Sequence, residues 1–158
     1  MNTTGIGYDV HRFAEGRPLV LGGIELAHDR GLDGHSDADV LSHAIADAIL
    51  GAAGERDIGH FFPNTDESIR GISSLDILRH VRENLAAKGI TIINIDATVV
   101  AEEPKIAPHL DRMKEALSKA LSLAPDRIGI KATTNEGMGF IGRGEGIGAL
   151  AVASVERP

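Results

Sequence analysis

An alternation of apolar and polar side chains runs through residues 90–101 and predicts the clearest strand of the chain. Its apolar side carries Ile93, Ile95, Ala97, Val99 and Ala101, and its polar side includes Asn94, Asp96 and Thr98. Because successive side chains point to opposite faces of a strand, this pattern predicts a sheet that is buried on one face only. Such a sheet needs helices to cover its apolar face.

The rest of the chain supplies both kinds of element. Strands are predicted at 5–13, 127–134 and 147–156, with a hairpin whose turn is Gly22-Gly23. Helices are predicted at 35–51, with Ser36 as N-cap, at 73–88, with Ser73 or Ser74 as N-cap, and from about 108. No repeat or linker interrupts this order. We predict one domain over residues 1–158 with an α/β (α+β) sandwich fold, a single open sheet with helices packed on one face.

Composition narrows the functional classes. The 158 residues include no cysteine, so disulfides, thiolate zinc sites and thiol nucleophiles are excluded, and any metal must bind His, Asp or Glu. The formal net charge of -7 argues against a nucleic-acid or membrane surface, since such surfaces are basic. The N-terminus resembles no targeting segment, and no apolar run reaches membrane-spanning length. We therefore expect a cytoplasmic protein without nucleic-acid or membrane partners.

Asp9 and His11 form the first candidate site. Residues 5–13 have the composition of a strand, so these two side chains point to one face with their Cα atoms about 7 Å apart. A carboxylate and an imidazole can share one divalent metal ion, but a catalytic zinc needs a third protein ligand. Without that ligand, the pair could equally be an ion pair on the face of a strand.

The third ligand has two candidates, His35 and His43. Within one helix they would lie roughly 12 Å apart along the axis, so at most one of them completes the set. His43 is favoured because it lies inside the predicted helix, where Asp47 one turn later could orient its other ring nitrogen. Periodicity alone supports a buried structural histidine at this position as well as it supports a ligand.

Two further segments suit a phosphorylated ligand. His35 and Ser36 are predicted just ahead of a helix N-terminus, where backbone N–H groups attract anions, although Ser36 could simply be a cap. Residues 131–136 end a strand with two threonine hydroxyls and the carboxylate of Glu136, a candidate ligand for Mg²⁺. The alternative for this segment is a solvated loop.

A glycine-rich stretch follows at 137–148. Its six glycines match no nucleotide-binding fingerprint. Phe140 and Arg143 within it are candidates for a contact between subunits. The stretch by itself therefore identifies no cofactor.

Six ordered motifs together resemble the 2-C-methyl-D-erythritol 2,4-cyclodiphosphate synthase family, and the resemblance spans nearly the whole chain. The motifs lie at 7–13, 32–40, 57–59, 62–66, 131–136 and 142–146. The chain departs from the family pattern at Asn64, where Asp is usual, and at Gly137, where a basic residue is frequent.

The resemblance implies a homotrimer with active sites between neighbouring subunits. It implies Zn²⁺, or another divalent cation, held by Asp9, His11 and His43, and a second cation, Mg²⁺ or Mn²⁺, near Glu136 and the substrate phosphates. His35 and Thr134 match the family's catalytic positions. The implied substrate contacts are Asp9, His11, His35, Ser36, Asp57, Ile58, Gly59, Phe62, Pro63, Asn64, Thr65, Asp66, Ala101, Pro104, Lys105, Ala107, Thr133, Thr134, Asn135, Glu136, Phe140 and Arg143.

The implied activity is that of a cyclising phosphorus-oxygen lyase of the non-mevalonate isoprenoid pathway. It converts 4-diphosphocytidyl-2-C-methyl-D-erythritol 2-phosphate to 2-C-methyl-D-erythritol 2,4-cyclodiphosphate and releases CMP. One alternative is a metal-dependent phosphohydrolase that uses a zinc-activated water. A second is a trimeric binding module without catalysis, with an isoprenoid diphosphate in a central channel formed by the glycine-rich stretch and Arg143.

Overall fold

The computed structural model describes residues 1–158 as seven strands and five α-helices. The strands are β1 (Asn2–Ala14), β2 (Leu19–Leu21), β3 (Ile24–Leu26), β4 (Gly31–Leu32), β5 (Thr91–Val100), β6 (Ile128–Thr133) and β7 (Gly146–Glu156). The helices are α1 (Val40–Ala53), α2 (Ile58–Phe61), α3 (Ser74–Ala87), α4 (Leu110–Leu121) and α5 (Gly139–Gly142). The predicted helices α3 and α4 and the predicted strands β1, β5, β6 and β7 are confirmed.

The main sheet has five strands in the order β4-β1-β7-β5-β6. Only β5 and β6 are parallel, and the helix α4 lies in the connection between them. The predicted hairpin exists, but β2 and β3 form a separate two-stranded sheet. The fold is therefore mixed α/β, as predicted, while the prediction of a single sheet is wrong.

One face of the main sheet is covered and the other is open. The helix α1 packs against β1 and β7, and the buried core between helices and sheet is almost entirely aliphatic. On the opposite face Ile6, Tyr8, Leu150 and Val152 remain exposed, at 72%, 54%, 44% and 44% of their accessible area. The prediction of helices on one face is thus confirmed. None of the helices is both long and apolar enough to cross a bilayer.

The apolar side of β5 differs from the prediction by one residue. Ile92, rather than Ile93, is buried together with Ile95, because the pairing with β7 shifts between Ile92 and Asn94. A bulge of this kind inserts one residue into the alternation. A strict alternation of apolar and polar residues does not predict such an insertion, so the sequence pattern placed Ile93 instead of Ile92 on the buried side.

The helix α1 begins later than predicted, and its N-cap is Asp39 rather than Ser36. The Asp39 carboxylate is fully buried and accepts hydrogen bonds from the backbone N–H and the hydroxyl of Ser42. It also accepts the N–H groups of Gly22 and Gly23 in the hairpin turn, at 2.9 and 2.7 Å. One carboxylate thereby fixes the start of α1 against the hairpin.

Candidate active site

Asp9, His11 and His43 form the one group of three or more His, Asp or Glu side chains placed to bind a single metal ion. Asp9 and His11 project from β1 toward α1, which carries His43. The Oδ2 atom of Asp9 lies 2.9 Å from Nε2 of His11 and 3.0 Å from Nδ1 of His43. The two ring nitrogens are 3.3 Å apart.

These separations fit a small divalent cation. Tetrahedral zinc with bonds near 2.0–2.1 Å places its ligand atoms about 3.3 Å apart. Asp9, His11 and His43 each offer one atom to the same point, so a cation needs only small adjustments of the side chains. Three ligands leave a fourth tetrahedral position for a water or a substrate oxygen.

A backbone carbonyl orients His11. Its Nδ1 lies 2.6 Å from the carbonyl oxygen of Asp33, and a carbonyl can only accept, so Nδ1–H donates. Nε2, which faces the Asp9 carboxylate at 2.9 Å, is then the nitrogen that would bind a metal ion, as is usual for ligating histidines.

The second nitrogen of His43 does not contact Asp47, so the predicted role of Asp47 is wrong. Its Nε2 faces the hydroxyls of Ser74 and Ser36 instead, at 2.8 and 3.1 Å. The Asp47 carboxylate accepts the backbone N–H of Ile58 at 2.9 Å and so attaches α2 to α1. Burial raises the pKa of Asp47 above its ordinary value, against the opposing effect of this hydrogen bond.

The charges within the group are strongly coupled. Burial of Asp9 opposes its ionisation, but hydrogen bonds with His11 and His43 outweigh it and lower the pKa of the Asp9 carboxyl to about 2. Burial also disfavours the charged form of His11, which lowers its pKa. The Asp9 carboxylate outweighs this effect and raises the pKa of His11 above its ordinary value. Asp9 is therefore an anion near neutral pH, and it attracts a proton or a metal ion to the centre of the group.

An open cleft of about 440 Å³ contains the metal-binding group. Of the residues predicted from the sequence, the cleft is lined by Asp9, His11, His35, Ser36, His43, Asp57, Ile58, Gly59, Phe62, Pro63 and Asn64. Thr65 and Asp66 are exposed in the same loop but do not line the cleft. The cleft combines an apolar side at Ile58 and Phe62 with three carboxylates and no lysine or arginine. A phosphorylated ligand would therefore need a bound cation in the cleft to offset the negative charge.

His35 and Ser36 lie in the cleft but not at the start of α1 as predicted. The buried N-terminus of α1 is capped by the Asp39 carboxylate, so its N–H groups are not available to bind an anion. The helix N-terminus predicted as the reason for an anion contact at His35 and Ser36 is therefore wrong. Nε2 of His35 lies 2.7 Å from the carbonyl oxygen of Asp66, which makes it a donor and leaves Nδ1 toward solvent or ligand.

The residues predicted around 101–107 and 133–136 form a second group. They lie where the parallel strands β5 and β6 end, and the N–H of Ala101 donates to the Thr133 carbonyl at 3.0 Å. Val10, Gly148, Val100 and Thr133 lie in register across four neighbouring strands. Three strand spacings separate the first from the last, about 14 Å, so one chain does not bring this group into its own metal site.

Phe140 and Arg143 belong to a third region. They line a cavity of about 730 Å³ together with Val10, Arg12 and Arg30. Three of the cavity's side chains are arginines, and one of them, Arg143, is paired at 2.7 Å with Glu145, which also lines the cavity. Three arginines against one glutamate leave the lining with a net positive charge.

The sequence did not predict the roles of three residues, Glu102, Asp37 and Ser74, although Ser74 was a candidate N-cap and Glu102 lies within the predicted segment 101–107. The Glu102 carboxylate accepts the backbone N–H groups of Asn135 and Gly137, both at 3.0 Å, and so holds the loop that carries Thr134. Asp37 and Ser74 lie behind His43 and contact each other. No local pattern links residues 33 to 37 positions apart, so only a resemblance to known proteins could have pointed to them.

The fold and the site together define a class: an α/β protein with an Asp/His/His metal-binding group in an open cleft. The model of the YgbB family matches residues 2–156, and the chain belongs to this family. It is 58% identical over 153 residues to the 2-C-methyl-D-erythritol 2,4-cyclodiphosphate synthase of Synechococcus elongatus, covering 97% of this chain and 96% of that protein.

Two solved structures are also similar. A 2C-methyl-D-erythritol-2,4-cyclodiphosphate synthase in a CDP-bound form has a TM-score of 0.88 and 36% identity, covering 97% of this chain and 99% of that one. The bifunctional IspDF of Campylobacter jejuni has a TM-score of 0.95 and 41% identity, covering all of this chain and 43% of that chain. The resemblance found in the sequence is thereby confirmed.

Proposed function

We propose that this chain, as one domain of residues 1–158, is a 2-C-methyl-D-erythritol 2,4-cyclodiphosphate synthase. It converts 4-diphosphocytidyl-2-C-methyl-D-erythritol 2-phosphate to the cyclic diphosphate and CMP in the non-mevalonate isoprenoid pathway. The single observation that carries the proposal is the Asp9, His11 and His43 group in a cleft of a chain that belongs to the YgbB family. The cytoplasmic location predicted from the sequence stays a prediction.

Asp9, His11 and His43 hold Zn²⁺ in this proposal. Two imidazoles and one carboxylate are a donor set that zinc accepts, and the anionic Asp9 offsets part of the ion's charge. Bound zinc supplies a positive charge that neutralises and orients phosphate oxygens. The exposed Glu136 is the proposed ligand of a second cation, Mg²⁺ or Mn²⁺, which keeps most of its coordination for water and phosphate.

The substrate spans the cleft that contains the metal-binding group and the second group of residues, at 101–107 and 133–136. The cleft group (Asp57–Asn64 with His35 and Ser36) surrounds the methylerythritol phosphate end, and the group at 101–107 and 133–136 receives the cytidine end. The CDP named with one related structure supports a cytidine nucleotide as ligand. His35, whose Nε2 is fixed on the Asp66 carbonyl, presents Nδ1 to the reacting phosphates, and Thr134 presents its hydroxyl.

The reaction needs positioning and charge neutralisation more than it needs a base. The nucleophile is an oxygen of the substrate's own 2-phosphate, which is already anionic near neutral pH. Its attack on the β-phosphorus forms the new P–O bond as the bond to CMP breaks, and no water is consumed. Holding both ends of one molecule converts the attack into an intramolecular step, which favours ring closure over hydrolysis.

The experiment that tests this function is turnover in ¹⁸O-enriched water. We expect CMP and cyclic diphosphate in a 1:1 ratio, with no ¹⁸O in either product, because both P–O oxygens come from the substrate. Mass spectrometry of the two products measures this. Label in a released phosphate would identify a hydrolase that uses a metal-activated water, and would overturn the cyclase assignment.

The chain acts as a homotrimer in this proposal, with its active sites between subunits. The separation of about 14 Å between the two groups of site residues is removed if the second group is supplied by a neighbour. The open face of the sheet, defined by Ile6, Tyr8, Leu150 and Val152, is an apolar surface suited to such an assembly. Phe140 and Arg143 would then face the threefold axis, where the arginine-lined cavity suits the diphosphate of an isoprenoid.

Substitution of Leu150 by Glu should dissociate the trimer. Leu150 lies in the middle of the open face opposite Tyr8, and an unpaired carboxylate buried there costs several kcal/mol. We expect light scattering to show a monomer and circular dichroism to show that it is folded like the wild-type protein. The monomer should no longer release CMP. The matched control is Ala86→Glu, which adds the same charge to an exposed position of α3. A monomeric variant with full activity would contradict shared active sites.

A further inference from the structure

The ring nitrogen of His43 that faces away from the metal-binding group is buried against two hydroxyls. Its Nε2 lies 2.8 Å from Oγ of Ser74 and 3.1 Å from Oγ of Ser36. Ser74 is 1% exposed, so water does not compete for this contact. The closer and more deeply buried partner is therefore Ser74.

Ser74 is in turn bound to Asp37. Its hydroxyl donates to Oδ1 of Asp37 and its backbone N–H donates to Oδ2 at 2.9 Å. The N–H of Asp39 donates to the same Oδ1 at 3.1 Å. An ionised carboxylate only accepts, so the single hydroxyl proton of Ser74 is committed to Asp37.

Because the Ser74 proton is used in the bond to Asp37, it determines which atom donates in the contact between Ser74 and His43. Since the Ser74 hydroxyl has no second proton, the contact with His43 requires Nε2–H to donate to Oγ. Nδ1 of His43 faces the Asp9 carboxylate at 3.0 Å, and without a metal ion only a proton on Nδ1 can make that contact. A bound metal ion would take the place of this proton, and the neutral ring would then keep its one N–H on Nε2 and its lone pair on Nδ1. That lone pair points at the position between Asp9 and His11, where the metal ligands converge.

We propose that Ser74 is a positioning residue for the metal centre: together with Asp37, it holds His43 in the one tautomer and ring orientation that can ligate through Nδ1. The inference rests on the proposed metal site and extends it to residues that touch neither metal nor substrate. Loss of a partner of this kind typically weakens metal binding about 10- to 100-fold.

A purely structural role is the alternative that the test must separate. Asp37 also caps α3, whose N-cap Ser73 makes no side-chain cap hydrogen bond. Capping uses the backbone N–H of Ser74, which every substitution except proline retains. The hydroxyl of Ser74 is not needed for the cap, so its removal tests the link to His43.

The test compares the Zn²⁺ affinity of three variants with that of the wild-type protein, by competition with a chelating dye. Ser74→Ala is expected to weaken Zn²⁺ binding about 10- to 100-fold. Ser74→Thr, which keeps the hydroxyl, should restore affinity to near the wild-type value. Ser73→Ala makes the same chemical change one residue earlier, where the side chain has no cap bond, and should leave affinity unchanged.

The outcomes separate this inference from the proposed function. If wild-type protein fails to bind Zn²⁺, the metal site itself is wrong. If the wild-type protein binds and Ser74→Ala binds equally well, with only its thermal midpoint lowered, Ser74 is structural and the inference is overturned.

A measurement on the wild-type protein keeps the inference testable if Ser74→Ala does not fold. In the Zn²⁺-loaded protein, ¹⁵N-edited NMR should show a slowly exchanging His43 Nε2 proton with a nuclear Overhauser effect to the Ser74 β protons. A His43 Nε2 proton that exchanges rapidly, or that shows an effect to Ser36 alone, would overturn the role of Ser74.

Discussion

Replacement of His43 by alanine is expected to reduce CMP release at least about 1000-fold, equivalent to about 4 kcal/mol of transition-state stabilisation. His43 supplies one of three ligand atoms, and without it Asp9 and His11 form a two-ligand site that binds zinc weakly. Because the side chain is buried, the metal-free variant should also lose about 1–2 kcal/mol of unfolding free energy. Steady-state rates and zinc content measured by mass spectrometry test the two effects.

The matched control for this variant is His109→Ala. His109 precedes α4, makes no side-chain cap hydrogen bond and lies outside the metal-binding group. Its replacement should leave zinc content and turnover unchanged. Turnover near the wild-type rate in metal-stripped His43→Ala protein would show that zinc is not needed for the reaction, and the assignment of the ligands would be wrong.

The elements with one exposed face were predictable from the sequence. In α3 and α4 apolar residues recur at helical spacing because each helix buries only one side, and the buried Leu78, Val81, Leu85, Met113 and Leu117 follow that spacing. The start of α1 was not predictable in this way. Twelve of its 14 residues are buried, so no polar face marks where the helix begins. Ser36, Asp37 and Asp39 are all good capping residues, and only the hairpin turn bound to Asp39 selects among them.

Part of the site was predictable from local rules. The strand period placed Asp9 and His11 on one face of β1, and the structure brings His43 to the same point. The residues favoured His43 over His35 on the premise that one helix contains both, and this premise is wrong because the helix begins after His35. His43 nevertheless joins Asp9 and His11 in the structure. The contact between Ser74 and Asp37 is of a kind that local sequence patterns do not predict. Their contact joins positions 37 residues apart, and such contacts depend on how helices pack, which periodicity does not describe.

Two glycines of β1 set the distance between the strand and α1. A Cβ at Gly5 would overlap the backbone of Ala48 and Ala52, and one at Gly7 would overlap the backbone of Ala44 and Ala48. Side chains at these positions would hold the helix away from the strand. The absence of a Cβ is therefore what allows His43 on α1 to approach within 3.0 Å of Asp9 on β1.

Substitution of Gly7 by alanine should reduce both stability and metal affinity. The added Cβ meets backbone atoms, which cannot rotate away as a flexible side chain can, so we expect a loss of about 3 kcal/mol of unfolding free energy. Any outward movement of α1 lengthens the distance from Asp9 to His43, and Zn²⁺ affinity should fall at least about 10-fold. Chemical denaturation of the metal-free protein and dye competition measure the two quantities.

Gly51→Ala on α1 is the matched control, because it adds the same methyl group to the same interface. There the new Cβ would lie 3.8 Å from Cα of Gly5, an ordinary contact, and an interior helical glycine costs about 0.5–1 kcal/mol relative to alanine. Gly51→Ala should therefore be slightly stabilising, with Zn²⁺ affinity unchanged. Equal stability of the Gly7→Ala and wild-type proteins would mean that strand and helix can separate without cost, and the close approach would not be what holds His43 beside Asp9.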